Sequence, residues 1–164
     1  MRLFDLLLTA TLIAILGSVS PNTRAADGPI KLKNIAQTEI EVTDKKGKKS
    51  LKRTPVEKAL PGSEVIFTTI MENTIDKSIG NIVINNPIPN GTEYKSGSVF
   101  GKDCEILFSI DGKDFAHAED LKTIDVDGKE RIALPKEYKH IRWMLKDSLD
   151  AGQTHEVGFR ATIK

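Results

Sequence analysis

Glu156–Lys164 reads EVGFRATIK, and its alternation decides the fold. Val157, Phe159, Ala161 and Ile163 fall on one side of an extended chain; Glu156, Gly158, Arg160, Thr162 and Lys164 fall on the other. Successive side chains of a strand point to opposite faces, so one apolar face at period two marks a half-buried antiparallel strand. The same pattern recurs upstream. Ile141, Trp143 and Leu145 alternate with Arg142, Met144 and Lys146, and Ile106, Phe108 and Ile110 alternate with Glu105, Leu107 and Ser109. Glu64–Met71 (EVIFTTIM) is rich in β-branched and aromatic residues, and Ile82–Ile84 is short and apolar. Adding segments around Ile35–Thr43 and Thr92–Val99 gives an all-β chain of about seven strands, the pattern of an antiparallel β-sandwich. Only Ala116–Lys122 reads as helical, and it is too short to alter the class.

The segments between strands carry turn chemistry. In Asn85–Ser98 (NNPIPNGTEYKSGS), Pro87 and Pro89 cannot donate to a strand ladder. They stop the preceding strand and force an extended path, with Ile88 free to point inward. Asn90-Gly91 then turns the chain, which makes the stretch a crossover corner between sheets. Asp111-Gly112 is a hairpin signal.

The N-terminus sets the compartment. Arg2, the apolar run Leu6–Leu16 (LLLTATLIAIL) and the small side chains of Thr23 and Ala25 follow one another as in a secretory signal peptide. A spanning helix needs about 20 apolar residues, so this run is too short to anchor the chain. The expectation is a leader over residues 1–25, cleaved after Ala25, and one domain over residues 26–164 with no integral membrane segment. Cleavage removes two of the 24 basic and one of the 23 acidic side chains, which leaves the remainder balanced. Such a chain has no global charge with which to attract nucleic acid or an anionic membrane. A single cysteine, Cys104, makes no internal disulfide, so stability has to come from core packing.

Four elements in order carry a resemblance. They are Pro61-Gly62 before Val65-Ile66-Phe67 and Glu72-Asn73-Thr74; Asn81–Tyr94; Ser109–Phe115 (SIDGKDF); and Ile141-Arg142-Trp143 leading to Leu149–Gly152. Over residues 55–164 their order and spacing resemble the domain of unknown function 11 family, a repeat domain of bacterial envelope and surface proteins. The resemblance implies an immunoglobulin-like sandwich with an extracytoplasmic structural or adhesive role, and it brings no catalytic residue. Asn86 stands where members usually carry an acid, and the chain holds one copy where members often hold tandem repeats.

The residues that could carry chemistry are few. Cys104 shares parity with Ile106 and reads as a small core hydrophobe, with an intermolecular disulfide as the other reading. His117, His140 and His155 lack the spacing that sets two imidazoles on one metal. His140 is expected to point outward and His155 to sit at an open strand end. Asp125–Glu130 (DVDGKE) has carboxylates at alternate positions, as a calcium loop does. The twelve-residue ligand pattern is missing, and a solvated turn is favoured. Lys45–Lys49 with Lys52 and Arg53 reads as a basic loop between strands. Trp143 alternates with core residues, which leaves Tyr94 and Tyr138 as the candidates for a partner-facing surface. No Gly-x-Ser-x-Gly elbow occurs.

The sequence therefore assigns no catalytic residue, no cofactor and no metal. It describes an exported, non-enzymatic module of the periplasm or cell surface that offers loops and a sheet edge to an envelope protein or a glycan. Two alternatives have stated requirements. A carbohydrate- or small-ligand-binding module needs Tyr94 or Tyr138 beside a polar groove, and a metal carrier or enzyme needs the three histidines to converge with acids.

Overall fold

The computed structural model describes residues 28–164, so the leader assigned to residues 1–25 lies outside it. The described chain forms β1 (Ile30–Thr43), β2 (Lys49–Pro55), β3 (Glu64–Asn73), β4 (Val83–Pro87), β5 (Thr92–Tyr94), β6 (Phe100–Gly101), β7 (Cys104–Ser109), β8 (Lys122–Ile124), β9 (Glu130–Ile132), β10 (His140–Leu145) and β11 (Thr154–Ile163). The excess over seven strands comes from the short pieces β6, β8 and β9 and from β2. All ladders are antiparallel.

The larger sheet runs β2-β1-β3-β11-β5, with β6 also paired to β11; the smaller sheet runs β4-β10-β7. Their inner faces make the core, an antiparallel β-sandwich. Register sets the membership: Phe159 lies opposite Phe67, Ala161 opposite Val65 and opposite Tyr94, and Trp143 opposite both Ile84 and Ile106. Directly opposed residues share a face, so one inward residue fixes the parity of its whole strand. Trp143, Phe159, Val157 and Ile141 are fully buried. Burial alone leaves the indole N–H wanting an acceptor, and Trp143 Nε1 donates to Phe100 O at 2.9 Å.

The proline corner behaves as the residues require. β4 ends at Pro87, Ile88 is buried, and Gly91 takes φ 78° as the chain passes from the smaller sheet into β5 of the larger one. The path is not wholly unpaired, because Ile88 N–H donates to Lys139 O at 2.7 Å.

Two expectations fail. Ala116–Lys122 is not helical: Ala116 makes an isolated antiparallel bridge to Phe108, residues 118–120 turn, and Leu121 leads into β8. A bridge to a neighbour outweighs weak helical propensity in so short a piece. The basic segment is a loop only at its start. Asp44 Oδ1 accepts from the Lys46 and Lys48 N–H groups and Gly47 takes φ 81°, which turns the chain into β2. β2 then pairs with the second half of β1, from Gln37 opposite Pro55 to Thr43 opposite Lys49. Its charges sit on an exposed strand, where they hinder no ladder.

This β1–β2 hairpin bends over the outer face of the larger sheet. Glu39 of β1 takes both terminal nitrogens of Arg160 of β11 at 2.9 Å, and Arg53 of β2 lies over the Phe100 ring. Ile66 and Thr68, whose parity faces outward, are buried as a result.

Candidate functional site

The layers are offset by one strand. Above β3 lies β4, joined to it by Asn86 Nδ2 donating to Thr69 Oγ1 at 2.6 Å. Above β11 lies β10, with the Trp143 and Phe159 rings 6.4 Å apart. Above β5 lies β7, with Phe108 and Tyr94 5.6 Å apart. Among the described residues, no strand of the smaller sheet is left to cover the first half of β1: Ile30 packs against the core, but Leu32, Asn34 and Ala36 are exposed.

That half of β1 is nonetheless built to face a core. Leu32 is opposite Met71, Asn34 opposite Thr69 and Ala36 opposite Phe67, so all three point inward. Leu32 is 50% exposed although its partner Met71 is at 0%. Half a leucine left in water forgoes roughly 1 kcal/mol of burial. Two hollows follow the ledge. One, of about 310 Å³, is lined by Ile30, Leu32, Ile79, Ile82 and Ile84. The other, of about 280 Å³, is lined by Asn34, Ala36, Phe67, Asn86 and Phe159. The second hollow holds one polar line: Asn86 donates to Thr69 Oγ1, which donates to Asn34 Oδ1 at 2.6 Å.

Both strands bordering the ledge have open edges. β4 is terminal in its sheet. Leu145 N–H donates to Ile82 O at 3.0 Å and Ile88 N–H donates to Lys139 O, so even-numbered residues here bond toward β10. Alternation then directs the N–H and C=O of Val83 and Asn85 to the free side. On β1, Thr74 N–H donates to Pro29 O on one side and Val56 N–H to Ala36 O on the other. The groups of Leu32 and Asn34 therefore point in the plane of the larger sheet, away from β3, to its open edge. Edges are ordinarily guarded by charge, by bulges or by a covering segment. From Ser78 to Thr92 this chain carries no charged residue, and Val83 is 46% exposed.

The residues singled out in the sequence lie elsewhere. Tyr94 and Tyr138 are not partner-facing: they are 6% and 5% exposed. Their rings stack 5.9 Å apart, with Phe108 4.6 Å from Tyr138. Tyr94 is opposite Ala161, an inward position, and burial pushes both phenols above the ordinary value of 10.0. The rings that a sugar-stacking site requires are therefore core.

The three histidines meet different neighbours. His117 Nε2 lies 3.2 Å from Glu105, and His155 Nε2 lies 3.6 Å from Cys104 Sγ. His140 is on the outer face as its parity demands, yet it is partly buried. Its ring is covered by Gly112, where an added Cβ would lie 2.7 Å from it, and its Nδ1 is buried without a partner. Cys104 is half-buried at the start of β7, and burial, then the Asp103 charge, pushes its thiol up. That direction disfavours the reactive thiolate.

The carboxylates of Asp125–Glu130 do not converge. Asp125 Oδ1 accepts from the Asp127 and Lys129 N–H groups to shape the β8–β9 turn, and Glu130 pairs with Lys122 at 2.7 Å. No group of three or more His, Cys, Asp or Glu side chains among the described residues could hold a metal ion. No helix of the described residues is long and apolar enough to cross a membrane.

The ledge escaped sequence reading because strand offset is not written locally. One signal was there: the charge-free run around Pro87, in a chain that is 29% charged. Comparison with family models, with curated proteins and with solved structures finds no match.

Proposed function

We propose that this chain is an exported, non-enzymatic structural or binding module of the bacterial periplasm or cell surface, presenting loops and a sheet edge to a partner. The observation that carries the reading is the uncharged free edge of β4 beside the uncovered inward face of β1. Unpaired backbone groups next to exposed apolar surface are the ordinary means by which a sheet recruits another chain. The leader-like residues 1–25 and the resemblance to the domain of unknown function 11 family support the compartment and the role.

The test is capture from native envelope by the purified domain, with cross-linking before extraction. One reproducible protein partner is the expected result. Recovery of glycan would transfer the role to sugar binding, and capture of nothing above a denatured control would overturn the reading.

A further inference from the structure

We infer that the ledge beside β4 accepts one extended segment of a partner protein, as an added strand of the smaller sheet, and that this segment is uncharged, with apolar side chains flanking a hydrogen-bonding one. The inference rests on the proposed partner-binding role and specifies its chemistry.

Width limits the occupant to a single strand. A strand paired with β4 sits about 4.8 Å beyond it, directly above β1, which is where the smaller sheet stops short. A folded second copy using the same edge would bring its own overhanging β1 into that space. A loose segment has no such ledge of its own.

The backbone pairing is already specified. Val83 and Asn85 direct N–H and C=O groups to the free side, and Pro87, lacking an N–H, ends the donor row. The side chains of the added strand alternate, and those pointing down meet Leu32, Asn34 and Ala36 in succession. The first and last want apolar partners. The middle faces Asn34, the exposed end of the Asn86–Thr69–Asn34 line, and wants a side chain that hydrogen-bonds. Apolar-x-polar-x-apolar reads the same in both directions, so the prediction holds for parallel and antiparallel entry. No charged side chain among the described residues lines the two hollows, so a carboxylate or ammonium pointing down from that segment would leave water unpaired.

The probe is a blocked synthetic peptide, Thr-Val-Thr-Asn-Thr-Val-Thr, added to the purified domain, with amide exchange followed residue by residue. The expected result is saturable protection of the Val83 and Asn85 amides and none with a peptide carrying Asp for both Val. Two variants should each weaken binding about tenfold or more, the loss expected from one hydrogen bond or one buried anchor. Val83→Pro removes a donor that bonds nothing within the sheet, and Leu32→Glu puts a charge on a half-exposed position. Val126→Ser, at the fully exposed tip of the β8–β9 turn, should change nothing.

Peptide binding that survives both ledge variants, or no protection of the two amides, overturns the inference. The partner captured from envelope separates the two levels. A partner retained by Val83→Pro and Leu32→Glu refutes the ledge and leaves the binding role standing on the loops. No partner for the wild-type domain removes both.

Discussion

Asn73 shows how a polar residue becomes part of a core. It is 0% exposed, and its amide is fully used: Nδ2 donates to Lys77 O at 2.7 Å and Leu149 O at 2.8 Å, and Oδ1 accepts from Ile75 N–H. These bonds tie the end of β3 to two loops. Asn73→Ala leaves the Lys77 carbonyl and the Ile75 N–H unpaired, while Leu149 O keeps its bond from the Ile79 N–H, and should cost about 2–3 kcal/mol in denaturant unfolding. A loss below about 1 kcal/mol would mean that water takes the amide's place. Tyr94 and Tyr138 make a second prediction, because they are the chain's only tyrosines. Their folded-state values are raised by burial, so the neutral form is favoured in the core. The stability this represents is complete below the ordinary value of 10.0. It declines as pH rises from there through the raised folded values. Phenolate absorbance should therefore lag a free-tyrosine control and then rise together with unfolding. Two phenols titrating normally in a folded protein would contradict their burial.

At the scale of the element, the β1–β2 hairpin is held to the sheet by charge. Arg160 meets Glu39 and Glu64, and Arg53 meets Glu39 and Glu156. The carboxyl of Glu39 is held below 4.5 mainly by its hydrogen bond from Arg160. That of Glu64 is held below it by Lys95 first and then by Arg160. A lowered value stabilises above the unfolded value and stops doing so as pH falls through the folded one. Arg160→Met should cost about 1–2 kcal/mol at neutral pH, the range of a partly shielded network. The cost should shrink once both carboxyls are protonated, and equal losses in acid and at neutral pH would show that packing, not charge, is at stake. Gly158 belongs to the same account. An added Cβ would lie 2.4 Å from Phe67 O and 2.5 Å from the Phe100 ring, so Gly158→Ala should loosen β6 and the hairpin together. Proteolysis within Lys45–Lys49 should quicken in that variant, and an unchanged rate would uncouple the hairpin from β6. A glycine inside EVGFRATIK is a legible hint of close approach. What approaches it is not legible.

At the scale of the molecule, the proposed export predicts processing: a secreted form should begin at Ala26, read by intact mass and N-terminal sequencing. An unprocessed Met1 end in the extracytoplasmic fraction would refute the leader. Most of the sandwich was readable before any coordinates. Side-chain parity in EVGFRATIK, HIRWML and CEILFS named the faces, because period two is a local property of each strand. The proline corner was readable for the same reason. β2 was not, since its strand character depends on a partner and its own side chains are mostly exposed. Nor were the true positions of Tyr94 and Tyr138, which a residue-type rule put at the surface and register put inside. The sequence by itself determined which side chains alternate, where the chain turns and which stretch lacks charge, all of them decided within a few residues. Only the tertiary structure decided that three strands would lie over β3, β11 and β5 and leave β1 bare. That offset follows from pairings between segments far apart in the chain, and no local pattern encodes them.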